Sequence, residues 1–188
     1  PVGPLGYWLF AGFDALFPRA HPLLLAQWCL FAVTAPAMAV ILHKVGRPSR
    51  ATALALLLPY LAFQILPINV EHYSFFPGTD GFGIYNRHVS IVLYVLVSGL
   101  VFLRGLALGA IIGWTLPALF LIKITGFLAG GLVTAFALAA GRIGWRQSLL
   151  IAGAAGIALI GFEIATGLVS AYLDSILALI AINAGGIL

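Results

Sequence analysis

HVSIVLYVLVSGLVFLRGLALGAIIGWTLPALFLIK, residues 88–123, has only one charged side chain, Arg104, between its first and last residues. The arginine divides it into two apolar runs, 88–103 and 105–122. Each is near the roughly 17–25 residues needed to cross a hydrocarbon core of about 30 Å. A bilayer admits helices or a closed barrel, because every backbone polar group must find its partner inside the protein. Period-2 alternation is absent and Ala, Leu and Gly dominate, so the runs predict helices.

The same pattern extends to both sides. Apolar stretches at 22–42, 51–68, 126–141 and 147–168 predict four more spans, and 175–188 reads as an incomplete last one. Residues 5–17, LGYWLFAGFDALF, are too short to cross and carry Asp14. With Tyr7 and Trp8 suited to the headgroup region, they predict an interfacial or re-entrant helix. The expected fold class is therefore all-α: a polytopic integral membrane helix bundle of about six to seven transmembrane helices plus an N-terminal interfacial helix. Residues 1–188 read as a single transmembrane domain. The start at Pro1 and the abrupt end of the last apolar run at Leu188 lead us to expect a longer parent chain.

Composition agrees. Of 188 residues, nine are Lys or Arg and five Asp or Glu, a charged share of 7%, against about 25% in soluble domains. Hydrophobic residues make up 63% and the mean hydropathy is +1.15. These values exclude a soluble globular enzyme, a disordered chain and a nucleic-acid binder with a basic face. Cys29 is alone, so no intrachain disulfide can form.

The cations set an expected orientation. Lys44, Arg47 and Arg50 lie between the first two spans, Arg104 in a tight turn, and Arg142 and Arg146 flank another. Strict alternation puts all six on one side, read as the cytoplasmic face of a bacterial inner membrane. Arg19, Arg87 and Lys123 fall opposite, as do residues 1–21, 69–87 and 169–174.

Ionisable groups at membrane depth are costly, about 2.5–3.5 kcal/mol at a helix centre on insertion scales, so the few present carry information. Asp14, Glu71, Asp80, Glu163 and Asp174 all fall in or near the outer half, which directs any chemistry to that face. The richest stretch is NVEHYSFFPGTDGFGIYNRH, residues 69–88. Pro77-Gly78 and the glycines at 81 and 83 predict an irregular loop. Carboxylates can deprotonate a sugar hydroxyl or hold a divalent metal, an arginine can grip a phosphate, and aromatic rings can cover a sugar face. Glu71 and Asp80 are the candidate catalytic acids. Tyr85, Asn86, Arg87 and His88, with Lys123 from the end of the fourth span, are the candidate substrate-binding residues.

No zinc spacing occurs. A loosely held Mg²⁺ or Mn²⁺ on Asp80 or Glu71 is the one cofactor left open. Glu163, about five residues inside the sixth span, either pairs with Lys123 or helps orient it toward a lipid-linked phosphate.

Three segments carry a family resemblance. PVGPLGYWLFAGFDALFP resembles the Gly-Pro-Leu-aromatic segment of polytopic GT-C glycosyltransferases that use polyprenyl-phosphate sugars. GFGIYNRHVS is similar to the Tyr-Asn-Arg element that opens a span in a bacterial group of them. LFLIKITGFLAGG resembles their later leucine-rich, Lys, then Gly-rich span. The resemblance covers roughly residues 1–140 as short, degenerate patterns. It implies an inverting enzyme that moves a sugar from a polyprenyl-phosphate donor to an acceptor on the outer face. The family's principal acid, in its first outer loop, would precede Pro1. Glu71 and Asp80 carry over as candidate acids and Arg87 as a candidate phosphate ligand. Two other classes stay open: a transporter or flippase fragment, and a non-catalytic subunit packed beside a protein partner. Membrane lipids are the expected surroundings in each case.

Overall fold

The computed structural model describes residues 3–19, 22–65 and 81–185. These form eight helices and no strand: α1 (Pro4–Leu16), α2 (Pro22–Gly46), α3 (Arg50–Ile65), α4 (Gly81–Phe102), α5 (Gly105–Ile122), α6 (Ile124–Ala139), α7 (Trp145–Thr166) and α8 (Leu168–Gly185). The all-α expectation holds, and the run 105–122 is α5 from end to end.

Three helical stretches are long and apolar enough to cross a membrane: Cys29–Gly46, Gly105–Ile122 and Trp145–Thr166. That is fewer than the six to seven expected. For α6 the reason is length. α6 has 16 residues, roughly 24 Å at 1.5 Å per residue, short of a core of about 30 Å. Asn86–Phe102 and Leu168–Asn183 are further apolar stretches, within α4 and α8.

Two local expectations are corrected. Residues 81–87 belong to the first turns of α4 and not to a loop, because the helix starts at Gly81. Residues 169–174, expected as a short outer turn between the spans at 147–168 and 175–188, are likewise helical. Gly167 ends α7 in the left-handed conformation, φ 66°, where only glycine escapes a steric penalty, and α8 starts at the next residue.

Successive long helices run in opposite directions. At one end, the Arg142 guanidinium reaches from the α6–α7 turn and donates to the carbonyls of Leu100 and Val101 at 2.6 and 2.8 Å. These are carbonyls that α4 leaves unpaired at its C-terminus. The α4–α5 and α6–α7 turns therefore share that end. At the opposite end, Arg87 near the start of α4 donates to the Phe63 carbonyl near the end of α3 at 2.8 Å, so the α2–α3 turn falls at the first end as well. Lys44, Arg47, Arg50, Arg104, Arg142 and Arg146 consequently gather at one pole of the bundle.

The core is built mainly by α2, α4 and α5, with Ile41, Val92, Val95, Leu96, Ile112 and Leu119 fully enclosed. Glycines set the spacing of α6 against α4 and α5. A Cβ on Gly126 would lie 2.8 Å from a Val89 methyl, and one on Gly130 would lie 2.6 Å from a Leu119 methyl. α7 is the opposite case, with no buried residue. Its Ile157 and Ile164 are 74% and 82% exposed. An apolar face this open suits hydrocarbon and not water.

Candidate functional site

The described candidates, Asn86, Arg87, His88 and Lys123, lie at the pole opposite the six cations. α5 and α6 join there through a single extended residue, Lys123 (φ −163°, ψ 126°). Its N–H donates to the Leu119 carbonyl at 2.8 Å, while its own carbonyl accepts from Gly126 and Phe127. α1 is tied to the same spot: the Gly3 N–H donates to the Ile122 carbonyl at 2.7 Å. A Cβ on Gly3 would sit 2.0 Å from the Leu121 carbonyl oxygen, so only glycine permits this approach.

The Lys123 ammonium donates to Asn86 Oδ1 at 2.7 Å, which brings two of the candidates together. The others diverge. Successive helical residues turn by about 100°, so 86, 87 and 88 address three different neighbours. Asn86 is exposed beside Lys123. Arg87 turns to α3, where Nε and Nη2 both donate to the Phe63 carbonyl. His88 is 7% exposed and faces a space of about 10 Å³ shared with Leu9, Cys29 and Ile122. The Tyr85 side chain lies outside the described residues, as do Glu71 and Asp80. Both acids belong to the segment 66–80 that joins the ends of α3 and α4 at this pole.

Glu163 makes neither arrangement expected of it. No Lys123–Glu163 ion pair forms among the described residues. The Glu163 carboxylate caps α8 instead. Oε2 accepts from the N–H groups of Val169 and Ser170 at 2.7 and 3.1 Å, and Oε1 accepts from the Ser170 hydroxyl at 2.6 Å. These are free donors of a helix N-terminus, where a negative charge is favoured. Nearby, the Tyr172 hydroxyl accepts from the Ile124 N–H at 3.0 Å and ties α8 to the start of α6.

One polar constellation escaped the sequence reading. Between α2 and α3, the Thr34 hydroxyl donates to the Leu30 carbonyl at 2.8 Å and lies 2.9 Å from the Tyr60 hydroxyl. It also accepts from Gln64 Nε2 at 3.1 Å. All three side chains are buried, and Gln64 Oε1 has no hydrogen-bond partner. The available signal was Tyr60 and Gln64, four apart on one face of an apolar helix.

Among the described residues no three His, Cys, Asp or Glu side chains come together to hold a metal ion. The carboxylates considered for Mg²⁺ or Mn²⁺, Glu71 and Asp80, fall outside them. Comparison of the chain with protein-family models, curated proteins and solved structures finds no match. The GT-C resemblance therefore stands on the three quoted segments alone.

Proposed function

We propose that the chain is a polytopic integral membrane protein of the GT-C glycosyltransferase kind, with its site at the Lys123 pole and a polyprenyl-phosphate sugar as donor. The carrying observation is the Lys123–Asn86 pair beside Arg87: two cations held at the pole to which both ends of the acid-bearing segment 66–80 attach. In this reading α3, α4, α6 and α8 cross the bilayer with the three longer spans, and shorter helices are met by local thinning of the bilayer. The six-cation pole faces the cytoplasm of a bacterial inner membrane.

The chemistry would run as an inverting displacement. Glu71 or Asp80 takes the proton of the acceptor hydroxyl, whose oxygen attacks the anomeric carbon as polyprenyl phosphate leaves. The charge that develops on the departing phosphate is met by Lys123, with Arg87 adding to the field and Asn86 fixing the lysine. An Mg²⁺ or Mn²⁺ held by the same acids would lower the charge of that phosphate.

Sugar transfer from a synthetic polyprenyl-phosphate donor, assayed in proteoliposomes of the full-length protein, tests the reading. Lys123→Ala is expected to slow transfer by about 10²- to 10³-fold, as loss of a group that stabilises transition-state charge does. Wild-type turnover in Lys123→Ala, Glu71→Gln and Asp80→Asn alike would end the proposal.

A further inference from the structure

The opposite pole opens into a groove of about 400 Å³ between α5 and α7. Gly105, Gly109 and Gly113 make one wall and Ala154 and Ala158 the other, with Trp114 toward the far end. The groove exists because these side chains are too small to fill the space between two packed helices. On α5 it runs from Gly105 to Trp114, roughly 14 Å, and on α7 from Gln147 to Ala158, roughly 17 Å, at 1.5 Å per residue. That is close to one leaflet of hydrocarbon, about half of 30 Å. Its mouth at Gly105 and Gln147 is flanked by two exposed arginines, Arg104 and Arg146. The Arg146 guanidinium lies 5.7 Å from the Trp145 ring centre, and the exposed Trp145 suits the headgroup level.

We propose that this groove binds one anionic phospholipid, its acyl chain lying along Gly105–Trp114 and its phosphate between Arg104 and Arg146. The apolar length selects a lipid tail, and the two cations at the mouth select a negatively charged headgroup. A second copy of the chain is disfavoured as occupant, because two-fold pairing through this face would bring the arginines of both copies together. The inference rests on the chain crossing a membrane but not on any sugar-transfer activity, which the reading above places at the other pole.

Native mass spectrometry of the full chain released from detergent, with phosphatidylglycerol or phosphatidylcholine added, tests it. The wild type should retain phosphatidylglycerol in preference. Arg104→Gln and Arg146→Gln should each weaken that retention about five-fold, given the pull of a single cation on an anionic headgroup, and leave phosphatidylcholine unchanged. Gly113→Leu should lose both lipids. A Cβ at Gly113 meets no atom within 4 Å, so the added side chain starts into open space in the groove. Equal retention of the two lipids by the wild type, unchanged phosphatidylglycerol binding in Gly113→Leu, or a lipid-free dimer would overturn the proposal. A chain that stays dispersed and monomeric without detergent would overturn the membrane reading with it.

Discussion

Thr34 shows how much a single hydroxyl can hold inside an apolar bundle. It serves Tyr60, Gln64 and its own helix at once, and the Gln64 carbonyl beside it already lacks a partner. Thr34→Val keeps the shape but strands two more polar groups, so it should cost about 1–3 kcal/mol. Tyr60→Phe removes one member without stranding Gln64 Nε2, and should cost only about 0.5–1.5 kcal/mol. Thermal unfolding of the two variants in detergent gives the order directly; equal losses would mean that the network is not shared. Gly130 makes a second contrast. Its added Cβ would collide with Leu119, whereas adjacent Gly131 faces open space. Gly130→Ala should therefore lose about 1–3 kcal/mol by overpacking, while Gly131→Ala should be neutral or gain up to ~1 kcal/mol of helix propensity.

At the scale of elements, two turns are held by side chains that the sequence gave other duties. Arg142 reads as an orienting cation, yet its guanidinium closes the C-terminus of α4 from two helices away. Arg142→Ala should cost about 1–3 kcal/mol, the value of a charge-assisted bond to a carbonyl. Arg142→Lys should recover only part, since an ammonium lacks the planar fork. Glu163 caps α8 across the Gly167 break. In Glu163→Ala the amides of Val169 and Ser170 should exchange hydrogen faster, while those in the middle of α5 keep their wild-type rates. Protection unchanged at 169 and 170 would show that Gly167 alone sets the turn.

For the whole molecule, the segregation of six cations at one pole makes a directional prediction. In a Cys29→Ala background, a cysteine replacing exposed Pro48 should react with an impermeant maleimide only from the cytoplasmic side. One replacing exposed Thr125 should react only from the other. Labelling of both from one side would contradict the alternating arrangement. Helix existence was readable from the sequence at nearly every element because apolar runs broken by Arg, Pro and Gly leave the backbone no other way to satisfy its polar groups. α1 and α5 match their stretches closely for that reason. The candidate site was less readable. Asn86, Arg87 and His88 are neighbours in sequence, but the helix that contains them sends each toward a different partner.

Composition and apolar run length by themselves determined the all-helical class, the two-pole distribution of charge and the positions of most helices. Burial of apolar residues and pairing of backbone groups act locally, along one segment at a time. Tertiary structure alone decided that Lys123 meets Asn86 and not Glu163, that Glu163 serves α8, and that Thr34, Tyr60 and Gln64 share one network. It also decided that the small residues of α5 and α7 leave a groove between them. Each of these depends on the rotation of one helix against another, which is set where side chains of both interlock and is not written in either segment alone.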